Sequence, residues 1–401
     1  MKKYIALFIL IVFVAIPFAF AQNVNETVYC DDQLTSSEIE DIIEDSVESQ
    51  LGDLDFSELE DALNSLDNTG KEIFGNDSFL DKIKQIITGE FAQGQQSIWT
   101  SILNLFFEDV LAFLPILSLV IAIAVTFSLV SASKPSSKNK SIGDIIHFVC
   151  YGAIIVVLVG YTVNMLTLTS NTLQNIKLQM DVAFPILLTI LTAIGGVTSV
   201  SVYQPAVAVL SGTIINVFTK ILMPIFIFRL VFSIVGNLSN NVKLDKFTSF
   251  FSSLFKWIIG GVFTIFSAFL AIQGITAGSV DGISFRTAKY AIKNSIPLLG
   301  SYLSDGLNLI IASSVLIKNA VGAGGLILMF ATIIVPVLNL IVFMLSLKLV
   351  SAILEPITDA RISNFISMLA KSISLLIVLI LGCAFMYLLL TGMIMCTANF
   401  F

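Results

Sequence analysis

Pro185-Ile-Leu-Leu-Thr-Ile-Leu-Thr-Ala-Ile-Gly-Gly196 opens the stretch, running on to Gly278, from which the fold of this chain is read. Pro185 and Pro224 lie 39 residues apart, as do Pro297 and Pro336, so the second pair repeats the first at an offset of 112. Lys256 and Lys371 start the last apolar run of each copy, and Gly278 and Gly392 end it. Each copy reads as a broken hydrophobic segment, a helix opened by the later proline, a loop rich in Ser, Lys and Phe, and a long apolar helix. An earlier half-unit, 115–169, repeats only the later portion. Apolar segments broken at matching positions of internal repeats predict a membrane protein.

Composition agrees. Of 401 residues 56% are hydrophobic and 12% charged, against about 45–50% and 25% in ordinary globular chains. The net charge of −7 is unevenly spread. Between Gln22 and Glu90 only Lys71, Lys82 and Lys84 oppose a crowd of carboxylates, whereas the chain from Phe91 onward is net positive. This is an acidic, water-soluble head on a mildly basic membrane body, and neither part carries the cationic footprint of a nucleic-acid binder. His147 is the only histidine, which excludes a multi-histidine metal site. Cys30, Cys150, Cys383 and Cys396 show no disulfide or metal spacing. No HExxH, GxSxG or haem motif is present, so neither catalytic residues nor a cofactor is expected.

In order, the chain divides as follows. Lys2 and Lys3, the apolar run 4–20 and the small residues Ala19 and Ala21 predict a signal peptide over 1–21, or else an uncleaved anchor. The acidic extracytoplasmic head covers 22–98. Ser37-Glu38-Ile39-Glu40 reads as a capping box, and Ile39, Ile42, Ile43 and Val47 recur at helical spacing. Leu59, Leu63 and Leu66 mark a second helix; Phe79, Leu80, Ile83, Ile86, Ile87 and Phe91 mark a third. These helices form either a small domain or a segment that orders on a partner. The membrane body comprises a half-unit, 99–183, and two tandem repeats, 184–295 and 296–401.

The fold class that follows is an all-α polytopic membrane protein. Six clear transmembrane helices are expected at 111–129, 147–168, 224–235, 258–277, 336–350 and 373–395, each long or apolar enough to enter a bilayer core of about 30 Å. Two broken hairpins accompany them: 185–220, interrupted by Gly195-Gly196 and Pro205, and 297–334, interrupted around Gly322–Gly325. Basic loops at Lys134, Lys138 and Lys140, at Lys243, Lys246 and Lys256, and at Arg361 and Lys371 belong in the cytoplasm. All three lie there only if each hairpin enters and leaves by the outer face, as a re-entrant loop or as a pair of full crossings. Phe247, Phe250, Phe251 and Leu254, and in the second copy Ile362, Phe365, Ile366 and Leu369, form apolar stripes that predict surface-lying amphipathic helices. A third stripe, Phe285, Ala288, Ile292 and Ile296 beside Arg286, Lys289 and Lys293, falls outside on this scheme, against the positive-inside rule.

Intramembrane charges are the candidate path residues, because an ionisable group at depth faces a cavity or a partner or else snorkels. They are Arg229, Lys348, Asp305 and Lys318, the last two 13 residues apart and a candidate pair across a hairpin. Lys220 ends the first hairpin. Gly322, Gly324 and Gly325 read as a turn rather than a phosphate cradle, since no Lys-Ser/Thr follows. Gly274-Ile-Thr-Ala-Gly278 permits close helix packing.

Val280-Asp-Gly-Ile-Ser-Phe-Arg-Thr-Ala-Lys289, with Ile296-Pro-Leu-Leu-Gly300, Asp305 and Ala312-Ser-Ser-Val-Leu-Ile-Lys-Asn-Ala-Val-Gly322, resembles the stage III sporulation protein AE family of endospore-forming bacteria. The resemblance covers about 100–395 and is most specific over 274–322; it also draws Asp281 into the set of candidate interaction residues. It implies a permease-like, multi-pass protein of the mother-cell membrane around the forespore, with the head in the intermembrane space. It also implies membership of a trans-envelope, secretion-like channel complex with other stage III sporulation membrane proteins and a forespore-side partner. No catalytic residue carries over. A conducting component, a non-conducting scaffold of the same complex and an independent secondary transporter are the readings the residues leave open.

Overall fold

The computed structural model describes residues 45–52, 54–75, 77–89, 96–132, 140–238, 244–295 and 300–397, and these are helices joined by turns. The expected signal peptide and the capping box at Ser37 lie outside the described residues.

The head is a small helical unit: helical residues 45–52, then α1 (Ser57–Asn64), α2 (Asn68–Phe74) and α3 (Phe79–Thr88). Local chemistry sets the ends. Asp67 caps α2 by accepting from the Gly70 N–H at 2.7 Å, and Ser78 caps α3 by accepting from the Asp81 N–H at 3.0 Å. Gly75 ends α2 at φ +100°, a conformation that side chains resist. The predicted stripes are the inward faces: Leu59, Leu63, Phe79 and Ile83 are buried, with Phe74 stacked on Phe79 at 6.0 Å. Lys82 is turned inward, 3.3 Å from Asp77, which also accepts from Gln85 at 2.9 Å. Those two donors, Gln85 first, hold the Asp77 carboxyl below its ordinary value of 3.8.

The body is built from six long helices: α4 (Gln96–Ala132), α5 (Lys140–Ala193), α6 (Val197–Leu238), α7 (Asp245–Ser295), α8 (Gly300–Leu354) and α9 (Ala360–Cys396). Each contains one of the six spans expected from sequence, and all six are long and apolar enough to cross a membrane. Pro115, Pro185 and Pro336 lie inside helices. Each lacks an N–H and so frees the carbonyl four residues before it, at Leu111, Asp181 and Thr332, yet the helices run on through them.

The hairpins are where the structure departs from the sequence reading. The first breaks once, at Gly195 (φ +94°) and Gly196, the turn between α5 and α6; Pro205 lies within α6 and interrupts nothing. α6 instead widens into two π-helical stretches, Val209–Ile214 and Phe218–Leu222. The second hairpin is absent: α8 runs unbroken for 55 residues through Gly322–Gly325. Glycine in a helix interior costs about 1 kcal/mol against alanine, and dense tertiary packing overrides that preference here. The two surface-lying amphipathic helices are likewise the first turns of α7 and α9. Only the second stripe packs wholly into protein: Ile362, Phe365, Ile366 and Leu369 are fully buried, whereas in the first Phe251 stacks on Phe232 at 5.4 Å while Phe247 and Phe250 stay exposed.

At 1.5 Å per residue α8 is about 82 Å long, far more than one bilayer crossing. The head lies along its N-terminal half and meets it at Ser313, Ser314, Gly324 and Ala331. A charged head cannot sit in hydrocarbon, so the crossing belongs to the C-terminal half; Ala331 to Leu354 spans about 35 Å. The end of the bundle bearing the head is called the head end below, and the end where α8 turns into α9 the loop end.

Gly75→Ala is expected to destabilise the head by about 1–3 kcal/mol, because the added Cβ meets Lys82 Nζ at 2.6 Å in a backbone conformation that disfavours it. Limited proteolysis of the head in the full chain measures this. The Asp77 clamp is present above the ordinary carboxylate value and is lost as pH falls through the lower folded one, so Asp77→Asn should flatten acid-induced cleavage of the head in that window.

Candidate functional site

The head, the C-terminal end of α9 and the head-end half of α5 converge on α8 at one level, from different sides. Three glycines make this possible, each toward a different neighbour. A Cβ on Gly322 would lie 2.6 Å from the Met395 side chain, one on Gly324 would lie 3.3 Å from the Phe79 ring of the head, and one on Gly325 would lie 2.9 Å from the Tyr387 hydroxyl. The predicted turn is thus a close-packing node on a straight helix. Gly70 in α2 is its counterpart on the head, with its Cβ position 3.2 Å from the Ala331 carbonyl. Above the node, Gln50 donates to Ser313 at 2.9 Å and accepts from Ser314 at 2.6 Å, and Ser46 lies 2.9 Å from Ser313. The expected head thus folds against its own membrane body.

Lys318 is fully buried one turn from Gly322. Its Nζ donates to the Thr397 carbonyl, and the Thr397 hydroxyl lies 2.8 Å from that of Tyr203 on α6. Asp305, its candidate partner, stands on the same unbroken helix, where positions 13 residues apart are separated by about 20 Å along the axis. The side chains of Asp305, Asp281, Arg286, Lys289 and Lys293 lie outside the described residues; their backbone belongs to α8 and to the last part of α7. Lys348 and Lys220 are exposed, as snorkelling residues are. Arg229 is buried at the junction of α6, α7 and α9, away from the glycine node.

Lys318 and Gly325 begin a line that sequence reading missed. Thr332, Asn339 and Ser346 continue it at intervals of seven on α8. A seven-residue repeat drifts about 20° per step on a straight helix, so successive members face successive neighbours. Lys318 meets the end of α9, Gly325 meets Tyr387 of α9 and Ala183 of α5, and Thr332 accepts from Gln179 of α5 at 2.5 Å. With its amide turned so that the nitrogen faces α4, as the carboxylate there requires, Asn339 donates to Asp109 at 3.1 and 3.2 Å. The Gln179 carbonyl oxygen and the hydroxyls of Tyr387 and Thr391 lie buried without a protein partner in the same α5–α8–α9 seam, the kind of group that internal water satisfies. The period of seven was visible in the sequence, but a break placed at Gly322–Gly325 cut the line in two.

Gly325→Ala should destabilise the body by about 1–3 kcal/mol through overpacking, and Tyr387→Phe in that background should restore much of it, because the clash is with the hydroxyl oxygen. Gly322→Ala should be milder, since the flexible Met395 side chain can yield. Thermal midpoints of the four detergent-solubilised variants measure this coupling; additive losses for Gly325→Ala and Tyr387→Phe would refute it.

Comparison with known proteins bears on the body and part of the head. The sequence profile of the stage III sporulation protein AE family (Spore_III_AE) matches residues 78–398, from the N-cap of α3 to the end of α9. Stage III sporulation protein AE of Bacillus subtilis (strain 168) is 22% identical over 291 residues, covering 73% of each chain. No solved structure matches. The matched residues take in the glycine node, the α8 line and the buried Lys318, and the chain belongs to the stage III sporulation protein AE family.

Proposed function

We propose that this chain is a permease-like membrane subunit of the sporulation trans-envelope complex joining mother cell and forespore. The acidic head faces the intermembrane space, and the basic connections after α4 and α6, with the α8–α9 turn beside Arg361, face the mother-cell cytoplasm. Partners are other stage III sporulation membrane proteins and a forespore-side protein. Family membership supports the sporulation role, and six long apolar helices support the multi-pass one. The observation that carries the permease-like reading is the polar line along α8, which continues from the head contacts at Ser313 and Ser314 through Lys318 and Thr332 to Asn339. A bundle that served only as an anchor has no need of polar residues at the depth of Thr332 and Asn339, which membrane insertion disfavours. The dense packing of Met395 and Tyr387 over the glycines favours a second reading, a non-conducting scaffold that the rest of the complex assembles on.

Lys318→Met and Asn339→Leu, alone and together, separate the two. A conducting subunit should assemble normally, by co-purification from sporulating cells, yet lose late forespore reporter expression several-fold. A scaffold should lose expression only where assembly fails. Membrane-impermeant maleimide tests the orientation: Asp55→Cys in the head should be labelled from the outer face of intact protoplasts, and Thr358→Cys only after permeabilisation.

A further inference from the structure

Arg229 is 5% exposed. Its Nε donates to the Ser252 hydroxyl on α7 and its Nη1 to the Ser372 hydroxyl on α9. Both hydroxyls give their own protons to backbone carbonyls, Ser252 to Thr248 at 2.8 Å and Ser372 to Met368 at 2.9 Å. They therefore meet the guanidinium as neutral acceptors. A guanidinium has five N–H donors and stays protonated, so these two bonds neither use all its donors nor balance its charge.

No carboxylate does so among the described residues. The ion pairs there join Lys82 to Asp77, Lys84 to Glu48, Lys177 to Asp181 and Arg361 to Asp359. At the loop end the connections 133–139 and 239–243 contain no acidic residue, and of the described acids there Asp359 pairs with Arg361 while Asp245 and Glu355 make no ion pair with Arg229. A buried charge without a counter-charge is strongly unfavourable, and a planar guanidinium fork suits a tetrahedral oxyanion, toward which each serine hydroxyl can turn the proton it now gives to a backbone carbonyl.

The surroundings extend this toward the loop end. Ser233 and Asn237 follow Arg229 at four-residue intervals on α6, and both lie against the Met368 sulfur, at 3.6 and 3.7 Å. Lys256, one turn past Ser252 on the side away from the loop end, and Lys371, next to Ser372, are exposed. Their positive potential raises the local concentration of anions.

We propose that Arg229, Ser252 and Ser372 form a binding site for a phosphate group, reached from the loop end. The group belongs either to an anionic phospholipid headgroup or to free phosphate. The full chain in phosphatidylcholine nanodiscs, titrated with inorganic phosphate against chloride at matched ionic strength, tests the free anion. The same chain in nanodiscs containing phosphatidylglycerol tests the headgroup. One of the two sources should raise the thermal midpoint by several degrees, and which one does so assigns the source. Arg229→Met should abolish that rise, Arg229→Lys should keep part of it, and Lys256→Gln with Lys371→Gln should keep most of it. The readout is the anion-dependent difference within each variant, because removing a buried charge can itself stabilise the fold. Should Arg229→Met fail to fold, Ser252→Ala with Ser372→Ala should reduce the rise instead. No rise with either source, or an equal rise in the Arg229 or serine variants, overturns the site.

Discussion

Unbroken backbone hydrogen bonding through Gly322–Gly325 makes α8 a single rod, and the other elements are arranged around it. In an apolar bundle a helix that opens must find new partners for every freed N–H and carbonyl, and staying closed avoids this. Closed, the glycines serve packing. Their missing side chains admit Met395, Phe79 and Tyr387, so the end of α9, the head and α5 reach the rod at nearly one level. Gly70 does the same from the head's side, where α2 comes within van der Waals contact of the α8 backbone.

This arrangement explains where the charges go. The head keeps its carboxylates at the surface and turns Lys82 inward onto Asp77, while its apolar face closes on α8. Within the body, cations near helix exteriors, Lys220, Lys348 and Lys371, are exposed. Among the described residues, the two buried cations of the body meet neutral groups: Lys318 a backbone carbonyl, Arg229 two hydroxyls. Lys318 ties the end of α9 to α8 and, through Thr397, to α6 at the head end. Arg229 joins α6, α7 and α9 toward the loop end. The bundle is therefore pinned by polar groups at two separate levels, with tight apolar packing between them.

For a family named for a stage of sporulation, the consequence is that head and membrane body form one packed unit. A partner engaging the head also engages, through Phe79 and Gly324, the helix that carries the polar line. Contact outside the membrane and rearrangement within it are mechanically joined, whether the subunit conducts or only organises others.

Composition and hydropathy alone determined that this chain is a helical membrane protein with an acidic head, because a run of about 20 apolar residues has no other stable place. The six spans, the inward stripes of Leu59, Leu63, Phe79 and Ile83, and the break at Gly195-Gly196 were legible because each is a local pattern. Only tertiary structure decided what Gly322–Gly325 does, since glycine favours a turn and a close helix contact equally and the choice rests on the neighbours that arrive. It also decided that Lys318 meets Thr397, and that the stripe at 362–369 faces protein while Phe247 and Phe250 of the matching stripe stay exposed. Those outcomes depend on which helices become adjacent, and periodicity within one segment does not contain that information.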